Sequence, residues 1–291
     1  MPELLDSVLI VGGSGQVGRA LRAALAGARV AAPPRAELDV ERPDSVAAAL
    51  ERYRPTLVVN TSAYHQVEHC EQHPERAFAV NALAVDRLAA ACAAAGAAFA
   101  TFSTDYVFGG DAREPYAETD PANPVNAYGA SKLAGEHLTR RHSPRHFIVR
   151  TSGVYSAEPS AVKGPTFVAR VLAQAEAGQP VRVVDDVTFS PSYAPDVARG
   201  LIRLAQREAY GTYHLAGAGA VTWHAFATAA FELAGLAVRP EAVTSAAFPS
   251  VAKRPAYSAL RSEALPAAGL APLRPWREAL SEFIAARERP A

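Results

Sequence analysis

The 291-residue chain has only two cysteines, Cys70 and Cys92, so no disulfide framework organises it and a reducing compartment suits it. It also lacks net charge, because 29 basic residues cancel 29 acidic ones. No broad basic surface is left to recruit nucleic acid or an anionic membrane. No Lys or Arg stands near the start, where Glu3 and Asp6 lie instead, which is unlike a secretory leader. No apolar run reads as a membrane span. The longest, residues 77–102, is interrupted by Asn81, Asp86, Arg87 and Gly96 and reads as a helix followed by a strand. Internal repeats, heptads and low-complexity linkers are missing as well. The expectation is a soluble, cytoplasmic protein without nucleic-acid or membrane partners; a homodimer stays open.

What is present is 49% hydrophobic residues, ample for one large or two modest domains. Residues 7–11, Ser-Val-Leu-Ile-Val, form a β-branched run that ends in glycines, as a buried parallel strand would. Gly12, Gly15 and Gly18 follow at three-residue intervals, and a helical pattern of Val17, Leu21 and Leu25 opens at once. Strand, tight turn and helix N-terminus in that order let backbone approach a pyrophosphate and offer it unpaired N–H groups. Gly12, Gly15, Gln16, Val17 and Gly18 are therefore candidate cofactor contacts. The next strand, 29–32, ends in Pro33-Pro34-Arg35. An acidic residue there holds the ribose 2′-hydroxyl of NAD, whereas an arginine accommodates the 2′-phosphate of NADP. Arg35 tilts the reading to NADPH, and Asp39, beside Val40, keeps NADH open.

Residues 56–60 read as a further strand, with a loop running on to Tyr64. His65, His69 and His73, with Cys70, invite a metal reading, because histidines four apart share a helix face. Pro74 ends any such helix, and Glu68, Glu71 and Glu75 mark an ordinary polar segment, so no metal is expected. Pro74 can open the next helix, which reaches about Ala95 with Phe78, Val85, Leu88 and Cys92 on its buried side. After strand 98–102 comes Ser103-Thr-Asp-Tyr-Val-Phe108, at a strand's carboxyl end where open α/β sheets keep their ligand crevice. Thr104 can donate there to a substrate carbonyl. Beyond a proline-rich loop lies Tyr128-Gly-Ala-Ser-Lys132. Its spacing puts a phenol and an ammonium one helical turn apart on one face. A neighbouring cation favours the phenolate and draws the tyrosine pKa toward working pH, making Tyr128 a usable proton donor or acceptor.

Strands and helices alternate with crossovers long enough for parallel pairing. The fold class read from this is α/β: a doubly wound parallel sheet of Rossmann type over residues 1–155, to which 190–220 returns. Residues 156–291 read as a smaller α/β, mainly substrate-binding region. There Pro159, Gly164 and Pro165 break the chain; helices are expected over 167–177, 196–206 and 222–234, the last capped by Thr222, and strands over 181–184 and 211–215.

These residues together resemble the extended short-chain dehydrogenase/reductases and, among them, the dTDP-4-dehydrorhamnose reductase family. The resemblance runs through most of the chain. Its most specific pieces are Gly12-Gly-Ser-Gly-Gln-Val-Gly18, Ser103-Thr-Asp-Tyr-Val-Phe108, Tyr128-Gly-Ala-Ser-Lys-Leu-Ala-Gly-Glu136 and Arg150-Thr-Ser-Gly-Val-Tyr155. Shorter matches are Glu37-Leu-Asp39, Val80-Asn-Ala82, Val184-Asp-Asp186, Gly211-Thr-Tyr-His-Leu215 and Arg254-Pro-Ala-Tyr257. The resemblance implies hydride transfer from a nicotinamide to the C4 ketone of a nucleotide-linked 4-keto-6-deoxyhexose. Tyr128 would give the proton, Lys132 would tune it and grip the nicotinamide ribose, and Thr104 would orient the ketone. Asn60, Ala63, Tyr64, Asn81 and Ser103 fall where this family lines the cofactor. Asp105, Tyr106, Phe108, Gly153 and Arg254 are implied substrate contacts.

Three departures lie in the substrate half. Gly153 stands where the family usually has tryptophan, which removes a flat wall from the sugar pocket. Gly164-Pro-Thr-Phe167 stands where Gly-Asn-Phe is common, and Pro191-Ser192 replaces Pro-Thr. A 4,6-dehydratase would follow its threonine with Asp then Glu, and here Asp105 precedes Tyr106; an epimerase would be serine-rich at that strand end. A reductase or epimerase of another nucleotide sugar is one alternative. A non-catalytic nucleotide-binding subunit resembling that of methionine adenosyltransferase is the alternative from another class.

Overall fold

The computed structural model describes residues 3–158 and 164–287, so Pro159 lies outside them. The first strand, β1 (Ser7–Val11), is buried at every position, as a run apolar on both faces should be. It leads into α1 (Gln16–Ala24), β2 (Arg29–Ala31), α2 (Pro43–Tyr53) and β3 (Leu57–Asn60). Then come α3 (Val67–Gln72), α4 (Pro74–Phe78), a π-helical turn (Ala79–Leu83) and α5 (Ala84–Ala94). β4 (Ala98–Thr104), α6 (Ala127–His142) and β5 (His146–Thr151) complete the first half.

The second half holds β6 (Val154–Tyr155), α7 (Phe167–Glu176), β7 (Arg182–Val184), β8 (Thr188–Phe189) and β9 (Ser192–Tyr193). It continues through α8 (Ala194–Gln206), β10 (Gly211–His214), β11 (Val221–Thr222), α9 (Trp223–Leu233) and β12 (Glu241–Val243). It ends with α10 (Ala264–Ala267) and α11 (Trp276–Arg287). Thr222 caps α9 by accepting from Ala225 N, as its sequence position suggests. Helices α2 and α11 have no counterpart in the sequence reading.

Six strands form one parallel sheet in the order β10-β5-β4-β3-β1-β2. The chain leaves β1 for β2 on one side and returns to β3 on the other, so the strand order reverses beside β1. Such a reversal opens a crevice at the carboxyl ends of the strands. Side chains alternate across the pleat. Val8 and Ile10 join Leu21, Phe147 and Leu201 in a core toward α1 and α8. Leu9 and Val11 face Leu50, Val85, Leu88 and Phe99 in a core toward α2 and α5. A separate core under α7, α9 and α11 is built from Val168, Leu172, Phe226, Phe231 and Phe283.

Helix 74–94 has the length and composition of a membrane span, yet Val85, Leu88 and Cys92 are buried in the core, as expected. Phe78 is not: it is 37% exposed and Ala77 is buried in its place. The π turn adds a residue to the helical repeat and rotates the preceding turn out of phase with α5, which a uniform 3.6-residue period cannot anticipate.

Candidate active site

The cradle at the end of β1 is shaped by what glycine leaves out. Gly12 has φ +77°, and a Cβ on it would lie 2.9 Å from both Ser62 N and Thr61 Oγ1. A Cβ on Gly18 would lie 2.7 Å from Gly12 O. Gly15 caps α1 and its N–H closes the turn onto Gly12 O at 3.0 Å. The first-turn N–H groups of α1 therefore face the loop without a side chain between them and a ligand. Only a backbone built this closely lets an anion such as a pyrophosphate approach, so the cradle fits a dinucleotide.

A cavity of about 600 Å³ runs from this cradle past the ends of β4 and α6 to Val187, Phe189 and Trp223. Gly12, Gly15, Gln16, Val17 and Ala63 line one end, and Ser103, Thr104, Asp105, Tyr106, Tyr128 and Lys132 its middle. Parallel register sets Thr104 beside Thr151, and Gly153 enters the same cavity just beyond. Tyr128 and Lys132 share a face of α6, whose N-terminus is tied three ways. Asn126 Oδ1 accepts from Gly129 N, Asn126 Nδ2 donates to Lys253 O, and Glu71 accepts from Ala127 N, each at 2.8 Å. Farther along, Glu136 accepts two bonds from Arg150, at 2.9 and 2.8 Å, and one from Ser103 Oγ at 2.6 Å. This buried pair joins α6 to β4 and β5.

The electrostatics of the trio follow from burial. The Tyr128 phenol is pushed up, first by burial and next by Asp105, while its hydrogen bond with Thr104 works the other way. Lys132 is pushed down to about 8 by burial, against the pull of Glu136. The sequence reading has Lys132 lowering the Tyr128 pKa; in the structure burial and the neighbouring Asp105 raise it instead. A high phenol pKa keeps the proton on Tyr128 until a stronger base, such as an alkoxide, is presented to it. The Asp105 carboxyl is likewise pushed up by burial, although Ser258, Ser152 and Thr104 all donate to it, at 2.6, 2.7 and 3.0 Å. Thr104 Oγ1 also accepts from Tyr106 N at 3.2 Å.

The family description "RmlD substrate binding domain" matches residues 6–289. The chain belongs to this family. It is 37% identical to the spore coat polysaccharide biosynthesis protein SpsK of Bacillus subtilis, covering 97% of this chain and 98% of that one. It is 39% identical to dTDP-4-dehydrorhamnose reductase of Streptomyces griseus, over 96% of this chain and 93% of the relative. The crystal structure of dTDP-4-dehydrorhamnose reductase from Bacillus anthracis in complex with NADP superposes with a TM-score of 0.91 at 31% identity, over 98% and 100% of the two chains. The expected Rossmann-type sheet and the family resemblance both stand.

In this family member several sequence-picked residues lie away from the cavity. Phe108 is fully buried, stacked on Tyr116 at 4.3 Å and edge-on to His214; it is a core residue, because the turn after β4 points it inward beneath Arg150. Arg254 bonds Glu68 at 2.7 Å, on a loop that Glu68 also holds through Val251 N and Ala252 N. Arg35 is 73% exposed and spans Asp39 and Glu41, at 3.2 and 3.0 Å. Val40 sits in the core toward α2, Asn60 Oδ1 accepts from Ser62 N and Oγ, and Gly18 packs on the loop. Asn81 exchanges 2.8 Å bonds with the backbone of Tyr64 and donates to Ser131 Oγ at 3.0 Å. It braces the loop after β3 against α6.

Sequence reasoning did not pick Ser152 and Ser258, which hold Asp105, or Glu71 and Glu136, which fix α6 at its start and middle. It also missed the aromatic end of the cavity, Phe167, Phe189, Trp223 and Phe226. Among the described residues no cluster of three His, Cys, Asp or Glu side chains converges as a metal site would require.

Proposed function

We propose that this chain is an NADPH-dependent reductase of the C4 ketone of a nucleotide-linked 4-keto-6-deoxyhexose, working in the cytoplasm on sugar precursors. The observation that carries this reading is one continuous cavity joining the glycine cradle to Thr104, Tyr128 and Lys132, in a chain of this family along nearly its whole length. We assign the sheet to the cofactor and the α7–α9–α11 core to the sugar.

NADPH, when bound, supplies the hydride. The cradle of Gly12, Gly15 and Gly18 holds its pyrophosphate, and Lys132 reaches the nicotinamide ribose. Thr104 and Tyr128 converge on the ketone oxygen. As negative charge gathers there, fixed donors in a site sheltered from water stabilise it, and Tyr128 releases its proton to that oxygen. Asn126, Glu71 and Glu136 keep α6 in register with β4 while this happens.

The test is incubation with NADPH and dTDP-4-keto-6-deoxyhexose, the product read by mass spectrometry for one added hydride and one added proton. Formation of the C4 alcohol supports the reading. Tight NADPH binding with every keto sugar left unchanged would instead favour a non-catalytic nucleotide-binding protein.

A further inference from the structure

Gly153 lies just past Thr151, the register partner of Thr104, and has φ +49°. A Cβ built on it would fall 2.3 Å from Cε2 and 2.4 Å from Cδ2 of Phe189. The Phe189 ring thus fills the space that any side chain at position 153 would occupy. The chain that follows Phe189 is tied to the Gly153 segment: Ser190 N donates to Ser152 Oγ and Ser192 N to Gly153 O, each at 3.3 Å. Since Ser152 also donates to Asp105 at 2.7 Å, the aromatic segment is wired to the catalytic strand end. On its flat side Phe189 stacks on Trp223, with ring centroids 3.7 Å apart and planes at 12°. Phe167 meets Trp223 edge-on at 4.7 Å. Phe189, Trp223 and Gly153 line the same cavity as Tyr128 and Lys132.

Phe189 is only 2% exposed, whereas Trp223 is half-buried and lines the cavity. We propose that Trp223, backed by the buried Phe189 for which Gly153 makes room, is the wall that receives the hexose ring of the nucleotide sugar and selects which 4-keto sugars this chain accepts. The proposal rests on the reductase reading for the identity of the ligand. From sequence, Gly153 removes a flat wall from the pocket; in the structure an aromatic from β8 stands in that space. A hexose offers a C–H face that packs by dispersion against a flat ring, and the stack is rigid, so little ordering is lost on contact. The glycine is then a specificity residue by absence: any side chain at 153 displaces Phe189 from behind the wall.

The experiment uses Trp276→Phe protein, in which Trp223 is the one tryptophan left of two. Its fluorescence is titrated with dTDP-glucose and with dTDP, which lacks the hexose. The expected result is a Trp223 signal with dTDP-glucose and, in Phe189→Ala, about tenfold weaker dTDP-glucose binding with dTDP binding unchanged. Gly153→Ala should show the same split. NADPH affinity, unchanged throughout, reports that the fold is intact. If Phe189→Ala loses NADPH binding, Phe189→Leu replaces it and must give the same split. Equal weakening of dTDP and dTDP-glucose, or no change in either, would overturn the proposal. Because the titration needs no turnover, failure of the reductase reading and failure of the wall are read separately.

Discussion

Thr104 donates its hydroxyl proton to Asp105 Oδ1 at 3.0 Å. While that bond is kept, Thr104 has no proton to offer a ketone. A neutral Asp105 changes this, because its own proton can go to Thr104 and release the hydroxyl toward the cavity. Burial favours the neutral carboxyl, so the donor-ready arrangement lies on the acid side and fades as pH rises through the raised pKa. For wild type, kcat/KM should fall along that limb. Asp105→Asn, permanently neutral and able to accept from both serines while donating to Thr104, should lack it. Superimposable pH profiles for the two proteins would contradict this coupling.

Lys132 carries a cost that its function requires. Its pKa is drawn from 10.5 to about 8 by burial, so the folded state binds the proton less readily than the unfolded chain does. Stability is therefore penalised below pH 8, and the penalty shrinks as pH rises toward 10.5. Lys132→Met should be more stable than wild type at neutral pH by up to about 3 kcal/mol, with the gap closing in alkali. Its NADPH affinity should fall. Thermal melts across pH, read beside NADPH titrations, check both halves.

Glu136 behaves in the opposite sense. Although burial acts to raise it, the combined bonds and charges of Arg150, Ser103 and Arg140 hold its carboxyl below the usual 4.5. Its stabilisation is present above that pH and is lost as pH falls through the folded value. Glu136→Gln leaves Arg150 buried with half its partner and should cost about 3–5 kcal/mol at neutral pH. The difference from wild type should narrow in acid. Denaturant melts at neutral and acid pH decide it.

Arg35 meets a 2′-phosphate only by leaving or sharing Asp39 and Glu41, its present partners. Arg35→Ala should raise KM for NADPH about tenfold, the lower end for one charge-assisted bond at an exposed site, and leave NADH use nearly unchanged. Equal losses with both cofactors would remove the argument for an NADPH preference.

The parts legible in the sequence were those encoded locally. The strand–glycine–helix cradle, the one-turn spacing of Tyr128 and Lys132 and the β-branched strands each carry their signal within a few residues. Contacts made across the fold were not legible. Phe108 is a substrate contact by resemblance, yet its ring stacks on Tyr116 inside the core. Arg254 is likewise a substrate contact by resemblance, yet it bonds Glu68, which stands 186 residues away in the chain. Gly153 reads as a missing wall because Phe189, which occupies its space, comes from another strand. Phe78 was misplaced by a π turn that leaves no trace in a regular period.

The measurement that bears most directly on the account is loss of NADPH absorbance with dTDP-4-keto-6-deoxyhexose, for wild type beside Tyr128→Phe. The substitution removes one hydroxyl and keeps the ring, which packs edge-on to Tyr106 at 6.1 Å. The account predicts turnover by wild type and a rate lower by roughly 10²–10⁴ in the variant, with NADPH still bound. A Tyr128→Phe protein reducing the sugar at the wild-type rate would contradict it.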